Sequence, residues 1–242
     1  MRLLLSRLAS AVIAFAALSA PAFAQRGGMD VPEHATRPVV MELFSSQGCG
    51  NCPVANANIA KLAERSDVIA LTYPVGIWDY LGWDDTFAKK EFTERQKRYN
   101  RVLKYRGPYT PQVVYSGRLH GPGTDIKDIG EAFGRRDISP YPATVTFDND
   151  LVAVSGTMPA DATSAGVIVV HYRPGVTNVT PGGGANKGKP MSYWNLVTRY
   201  EQVGEWKGGA QRFPVKCPSA CVVMVQKNGA EGMVIGAVQK KK

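Results

Sequence analysis

Hydrophobic positions change period several times along the chain. Residues 8–18 form a short apolar block preceded by Arg2 and Arg7 and followed by Ala22-Phe23-Ala24, the pattern of an export leader cleaved after Ala24. Val39-Val40-Met41-Glu42-Leu43-Phe44 is almost continuously apolar and β-branched at its start, which predicts a buried strand. Directly after it, Ala55, Ile59, Leu62 and Ala63 recur at helical spacing, and Pro53 falls in the first turn, where a missing N–H costs nothing. A second strand is expected over residues 68–73, an aromatic loop over 78–83 and a long helix over about 85–104. A strand through Tyr109-Thr110-Pro111-Gln112-Val113-Val114-Tyr115 turns at Ser116-Gly117 into a short strand ending near His120. A helix capped by Thr124 and running to about Arg136 completes this half. Strands alternating with helices argue an α/β layer architecture.

Beyond Pro140 and Pro142 the period becomes that of strands alone. Runs over residues 144–147, 151–155, 166–172, 193–203, 221–226 and 233–238 are separated by Gly, Asn and Pro turns, which predicts a mainly β, sandwich-like unit. The expected organisation is a leader over residues 1–24, an α/β domain over 25–140 and a β-rich domain over 141–242. The glycine-rich stretch over 181–188 lacks the Gly-Lys-Ser/Thr ending of a phosphate loop and reads as a mobile surface loop.

Removing the leader leaves 242 − 24 = 218 residues, enough for one large or two small cores. No later run is apolar for long enough to span a bilayer, so no stable membrane insertion is expected after cleavage. Loss of Arg2 and Arg7 lowers the net charge from +9 to +7, which leaves the mature chain basic. Lys89, Lys90, Arg95, Lys97, Arg98, Arg101, Lys104 and Arg106 crowd one segment. No recognition helix, zinc finger or stacking platform accompanies them, and export argues against a nucleic acid partner. Glu91 with Arg95 and Glu94 with Arg98 stand four apart, the spacing of paired charges on a solvated helix face.

The four cysteines form two local pairs, Cys49-Gly50-Asn51-Cys52 and Cys217-Pro218-Ser219-Ala220-Cys221. In an exported chain such pairs are expected as disulfides. At a helix start, Cys49 faces unpaired backbone N–H groups and the positive end of the helix dipole, which stabilise thiolate over thiol. Cys49 is thus the expected nucleophile and Cys52, one turn on, the resolving thiol. This chemistry needs Cys49 accessible. Other readings stand beside it. The pair is a structural disulfide in a non-catalytic binding module, or it joins Cys217 and Cys221 as thiolate ligands for zinc or copper. Cys217 and Cys221 themselves read as a short-loop disulfide tying a turn or as a second redox pair relaying electrons to the first. Trp78, Tyr80 and Trp83 are expected to pack around the site or to form a wall that selects a protein substrate. His34, His120 and His171 form no spaced cluster and are expected as surface or packing residues. No organic cofactor is expected.

Four segments, in order, resemble the secreted thioredoxin-like bacterial family catalogued as domain of unknown function 1223. They are Glu42-Leu43-Phe44-Ser45-Ser46-Gln47-Gly48-Cys49-Gly50-Asn51-Cys52-Pro53, Trp78-Asp79-Tyr80-Leu81-Gly82-Trp83, Arg95-Gln96 with Tyr99, and Tyr109-Thr110-Pro111-Gln112. The resemblance continues through Asn186, Gly188, Tyr193, Asn195 and Val197 to Gly236-Ala237, nearly the whole mature chain. Pro74 and Gly76 depart from it, as does Ala185, which replaces an acidic residue, and Cys217 and Cys221 are no part of it. It implies a thioredoxin-like fold for the first half, with a cis-proline at Pro111 facing the cysteine pair and the Thr110 backbone receiving the substrate chain. The expected function is that of a periplasmic or secreted thiol/disulfide oxidoreductase. Its partners would be protein or small-molecule thiols and disulfides and a periplasmic redox protein.

Overall fold

A computed structural model describes residues 38–134, 141–229 and 232–241. The expected leader and His34 lie outside the described residues, as does the expected end of the third helix near Arg136. The strand β1 (Val39–Ser45) is buried at every position because it is central: it pairs in parallel with β2 (Val68–Pro74) and antiparallel with β3 (Gln112–Tyr115). Its residues alternate between two layers, as the strand period of two requires. Val39, Met41 and Leu43 meet Ala55 and Ile59 of α1 (Cys52–Leu62) and Ile129 of α3 (Ile126–Gly134). Val40 and Phe44 point to the other side, toward Phe92 and Tyr99 of α2 (Lys90–Val102).

The helix expected over 85–104 begins only at Lys90, because the Asp85 carboxylate holds the Phe87 and Ala88 N–H groups in a turn of their own. The third helix is capped by Asp125 rather than Thr124: its carboxylate accepts the Lys127 N–H at 2.7 Å. β4 (Leu119–Gly121) pairs with β3 and forms one edge of the sheet.

The second half supplies β5 (Ala143–Asp148), β6 (Leu151–Gly156), β7 (Ala165–Val179), β8 (Met191–Trp206), β9 (Gln211–Pro214), β10 (Cys221–Lys227) and β11 (Val234–Lys240). Four of these join the first three strands and β4 in an eight-stranded sheet ordered β11-β10-β7-β8-β2-β1-β3-β4. The remaining three form a small sheet, β5-β6-β9. Val145, Val152, Val154 and Phe213 of the small sheet pack on Val167 and Val169 of β7 and on Val223 and Val225 of β10. The alternate residues Ile168, Val170, Val222 and Met224 face the α2 side. β10 and the first eight residues of β7 are thus buried on both faces, which explains their mainly apolar composition.

The boundary expected near residue 140 does not separate two cores. β2 and β8 meet in parallel at Thr72 and Leu196, the Thr72 hydroxyl donates to the Trp194 carbonyl at 2.7 Å, and the Asn195 amide donates to the Ala70 carbonyl at 2.9 Å. A buried polar cluster makes a second tie. Arg95 is no part of a solvated face: it is fully buried and forked onto Glu42 of β1 at 2.6 and 2.9 Å, with Tyr99 and Gln226 of β10 completing its shell. On the surface of α2, Lys97 pairs with Glu94 at 2.9 Å. Among the described residues, no helix is long and apolar enough to cross a membrane.

Candidate functional site

From Ser45 at the end of β1 the chain turns through Ser46-Gln47-Gly48 into the cysteine loop and α1. The Cys49 N–H donates to the Ser46 carbonyl at 3.2 Å, and the Cys52 N–H to the Cys49 carbonyl at 3.2 Å. These bonds bring Cys49 and Cys52 together as a disulfide, with Cα atoms 5.4 Å apart. Asn51 gives the helix no side-chain cap, the first turn holds no acidic residue, and Pro53 removes one orphan donor. The positive end of the helix is therefore left to the cysteine loop itself.

The accessible sulfur that redox chemistry needs is not what this structure presents. Cys49 is 4% exposed and Cys52 fully buried; only Gly50 and Asn51 of the loop face solvent. The glycine-rich segment 181–188, between β7 and β8, lies against the backbone of this loop. It is not a loose surface loop, since it closes on itself through Gly188 N–H to the Pro181 carbonyl at 2.8 Å and Lys187 N–H to the Gly184 carbonyl at 3.2 Å. The buried Asn186 donates its amide to two carbonyls of the cysteine loop, Gln47 at 3.0 Å and Cys49 at 2.8 Å. The glycines permit the approach: a Cβ on Gly184 would stand 2.8 Å from the Cα of Gly48, and on Gly182 or Gly183 2.7 Å from the Trp83 ring. Met191, Tyr193 and Leu196 of β8 share one buried apolar cluster with both cysteines, and Trp78, Phe87 and Val179 pack against that cluster.

Polar braces hold the loop from the other flank. Asp85 accepts the Gln47 N–H at 2.7 Å, the Gln47 side chain donates to Thr86 at 2.8 Å, and the Trp83 indole donates to the Gln47 side chain at 3.3 Å. Burial raises the Asp85 carboxyl above its ordinary value, against the pull of its backbone donors from Gln47, Phe87 and Ala88. Burial, and then the charge of Asp85, push the Tyr193 hydroxyl well up.

Thr110 and Pro111 are joined by a cis peptide bond. They lead into β3, whose Gln112 lies opposite Phe44, one residue before β1 ends, so they stand beside the strand that delivers the cysteines. Trp78 links the two: its indole N–H donates to the Thr110 hydroxyl at 2.7 Å, and its Cβ lies 2.7 Å from where Gly48 would carry one. Tyr80, 77% exposed, stacks on Trp78 with centroids 6.4 Å apart. The aromatic loop thus both packs the site and borders it.

Cys217 and Cys221 form the second disulfide, with Cα atoms 5.9 Å apart. Cys221 opens β10 opposite His171 and Lys240 and sits in the apolar layer between the two sheets, a different cluster from that of Cys49 and Cys52. All four sulfurs are bound in disulfides, and among the described residues no three His, Cys, Asp or Glu side chains converge. His120 pairs with the Tyr109 hydroxyl at 2.8 Å, and His171 lies 3.4 Å from Glu201; burial lowers the pKa of both. Sequence reasoning assigns no role to Asn186 or Asp85. The run of glycines at 182–184 permits a close backbone approach but does not by itself distinguish it from a free loop.

Fold and site define a mixed α/β protein with a large, mostly β sheet and two local disulfides, one of them where a strand turns into a helix. Residues 40–235 match the family described as Protein of unknown function (DUF1223), and the chain belongs to that family. It is similar to the crystal structure of a protein from Agrobacterium tumefaciens, 33% identical, over 84% of this chain and 93% of that one, with a TM-score of 0.67. HBP35 of Porphyromonas gingivalis shares the fold, at 17% identity and a TM-score of 0.54 over 85% of this chain and 75% of that one. No curated protein matches the chain.

Proposed function

We propose that the protein is an exported thiol/disulfide oxidoreductase, thioredoxin-like in its first half, that exchanges disulfides through Cys49 and Cys52. The observation that carries this reading is the disulfide closed across the uncapped first turn of an 11-residue helix. A partner thiolate attacks the Cys49 sulfur, a new S–S bond forms, the Cys49–Cys52 bond breaks, and Cys52 departs as a thiolate that takes up a proton. A second partner thiolate then displaces Cys49, so the partner leaves as a disulfide and the protein as a dithiol. The same steps in reverse reduce a partner's disulfide. Cys49 is the exchanging sulfur because the helix end favours its thiolate both in attack and on departure. Thr110 and Pro111 border the site and would take the substrate backbone. Substrates are protein or small-molecule thiols and disulfides, a periplasmic redox protein resets the pair, and the chemistry uses no organic cofactor. Two disulfides accord with the oxidising compartment to which a leader over residues 1–24 would deliver the chain.

The 4% exposure of Cys49 favours a second reading, a non-catalytic binding module whose disulfides are structural. Exchange kinetics separate the two. The mature chain is mixed with a reduced, unfolded test protein and with its oxidised form, and disulfide transfer is timed against Cys49→Ser and Cys52→Ser. The oxidoreductase transfers disulfides, Cys49→Ser abolishes transfer with an unchanged circular dichroism spectrum, and Cys52→Ser accumulates a mixed disulfide at Cys49. Wild-type transfer no faster than that of Cys49→Ser leaves the binding module.

A further inference from the structure

We infer that the segment 181–188 is a gate over the Cys49–Cys52 disulfide and that Asn186 is its latch. Thiol exchange needs a nucleophile in line with the S–S bond, and a pair of sulfurs with 4% and 0% residue exposure offers no such approach. The covering segment is fitted to the loop at three places. Asn186 donates to the Gln47 and Cys49 carbonyls, Gly184 lies on Gly48, and Gly182 and Gly183 lie on the Trp83 ring. Each contact is made to the cysteine loop or to its braces. The segment is solvent-exposed at Gly182, Gly184, Ala185 and Lys187 and contributes no residue to the apolar clusters of the core, so opening it leaves those clusters intact. Lifting it frees two carbonyl acceptors on the cysteine loop, and a partner carrying amide donors can satisfy them in place of Asn186. The gate would hold the disulfide away from stray thiols until such a partner displaces it, a role in turnover that rests on the oxidoreductase reading.

Asn186→Asp keeps the shape and removes both N–H donors; Gly184→Ala places a Cβ against Gly48 at a φ of +71°. Each opens the gate by a separate route, and Lys187→Ala, on the exposed side, serves as the control. Reduction by dithiothreitol is followed by quenching with an alkylating agent and peptide mapping, which reads the two disulfides separately. The expected result is roughly 30-fold faster reduction of Cys49–Cys52 in Asn186→Asp, the factor that two net hydrogen bonds represent. Gly184→Ala accelerates it too, Lys187→Ala does not, and Cys217–Cys221 keeps its rate in all three. Unchanged Cys49–Cys52 rates in both opening variants overturn the gate, as does equal acceleration of both disulfides, which would signal general loosening. Because this assay needs no catalysed transfer, faster reduction without such transfer in the wild type keeps the gate and removes the oxidoreductase. Transfer with unchanged variant rates does the reverse.

Discussion

Glu42 and Arg95 are 1% and 0% exposed, so each charge has lost its water and depends on the other. Arg95→Met strands the Glu42 carboxylate among Tyr99, Tyr73 and Gln226, and the expected loss is about 3–5 kcal/mol in urea unfolding. Glu42→Leu combined with Arg95→Met removes both charges and should cost less than either change alone; a double variant as weak as the sum of the singles would refute the pairing. In sequence, Arg95 stands four residues from Glu91, a plausible surface partner, whereas its real partner is 53 residues away on β1. Spacing along one helix cannot reveal such a choice, which is decided by the sheet the helix covers. The histidines set a pH dependence of known sign. Burial lowers the pKa of His120 and, with Arg199 adding to the effect, that of His171, from an ordinary value of 6.5. The unfolded chain then binds protons that the folded chain does not, so their contribution is fully present above pH 6.5 and is lost as pH falls toward the lowered values. The melting temperature should fall between pH 7.5 and pH 6, and His120→Asn with His171→Asn should flatten that slope; an unchanged slope assigns it to other groups.

The unit β1, cysteine loop and α1 is legible in the sequence because each part carries its own local signal: a continuous apolar run, a Cys-x-x-Cys and a proline in the first helical turn. β7 and β8 are legible only in part. The first eight residues of β7 are buried and read as a strand, while its outer half alternates exposed and intermediate positions and is held by pairing with β8, Val176 with Trp194 through Val179 with Met191. β9 escapes sequence reading because only Phe213 of its four residues is buried. The glycine-rich turn of this hairpin is where sequence reasoning goes furthest astray. Glycines permit a mobile loop and a close-fitting cover equally, and only the position of the Cys loop beneath them decides. At the start of β10 the second disulfide has a narrower role. Cys221 lies in the layer between the sheets with the partly exposed Cys217 packed against it, apart from the cluster around Cys49. Cys217→Ser with Cys221→Ala should lower stability by about 2 kcal/mol, the loop-closure contribution for so short a loop. The disulfide transfer proposed for Cys49 and Cys52 should be unaffected. A mixed disulfide trapped between Cys49 and either Cys217 or Cys221 would instead make the second pair a relay.

The two halves of the chain form one folding unit because neither half buries its own sheet. On the α2 side, Val40, Phe44 and Leu71 of the first half share an apolar layer with Ile168, Val170, Val222 and Met224 of the second. The open flank of β2 is covered by β8, and the Arg95 cluster reaches from β1 through α2 to Gln226. Nothing in the local pattern announces this, since β2 and β8 are separated by more than a hundred residues and the change of texture after Pro140 resembles a domain boundary. Expressed alone, residues 25–140 would carry a bare strand edge at β2, an uncovered apolar face and a cysteine loop without its cover and without Met191 and Tyr193 beneath it. That fragment should aggregate or unfold without a cooperative transition, whereas residues 25–242 in one chain should show a single transition by fluorescence and circular dichroism together. Mixing it with residues 141–242 should restore the transition if the shared sheet is the reason for the failure. A fragment that melts cooperatively by itself would mean that β1, β2 and β3 with their helices suffice, and that the second half is an addition to a complete core.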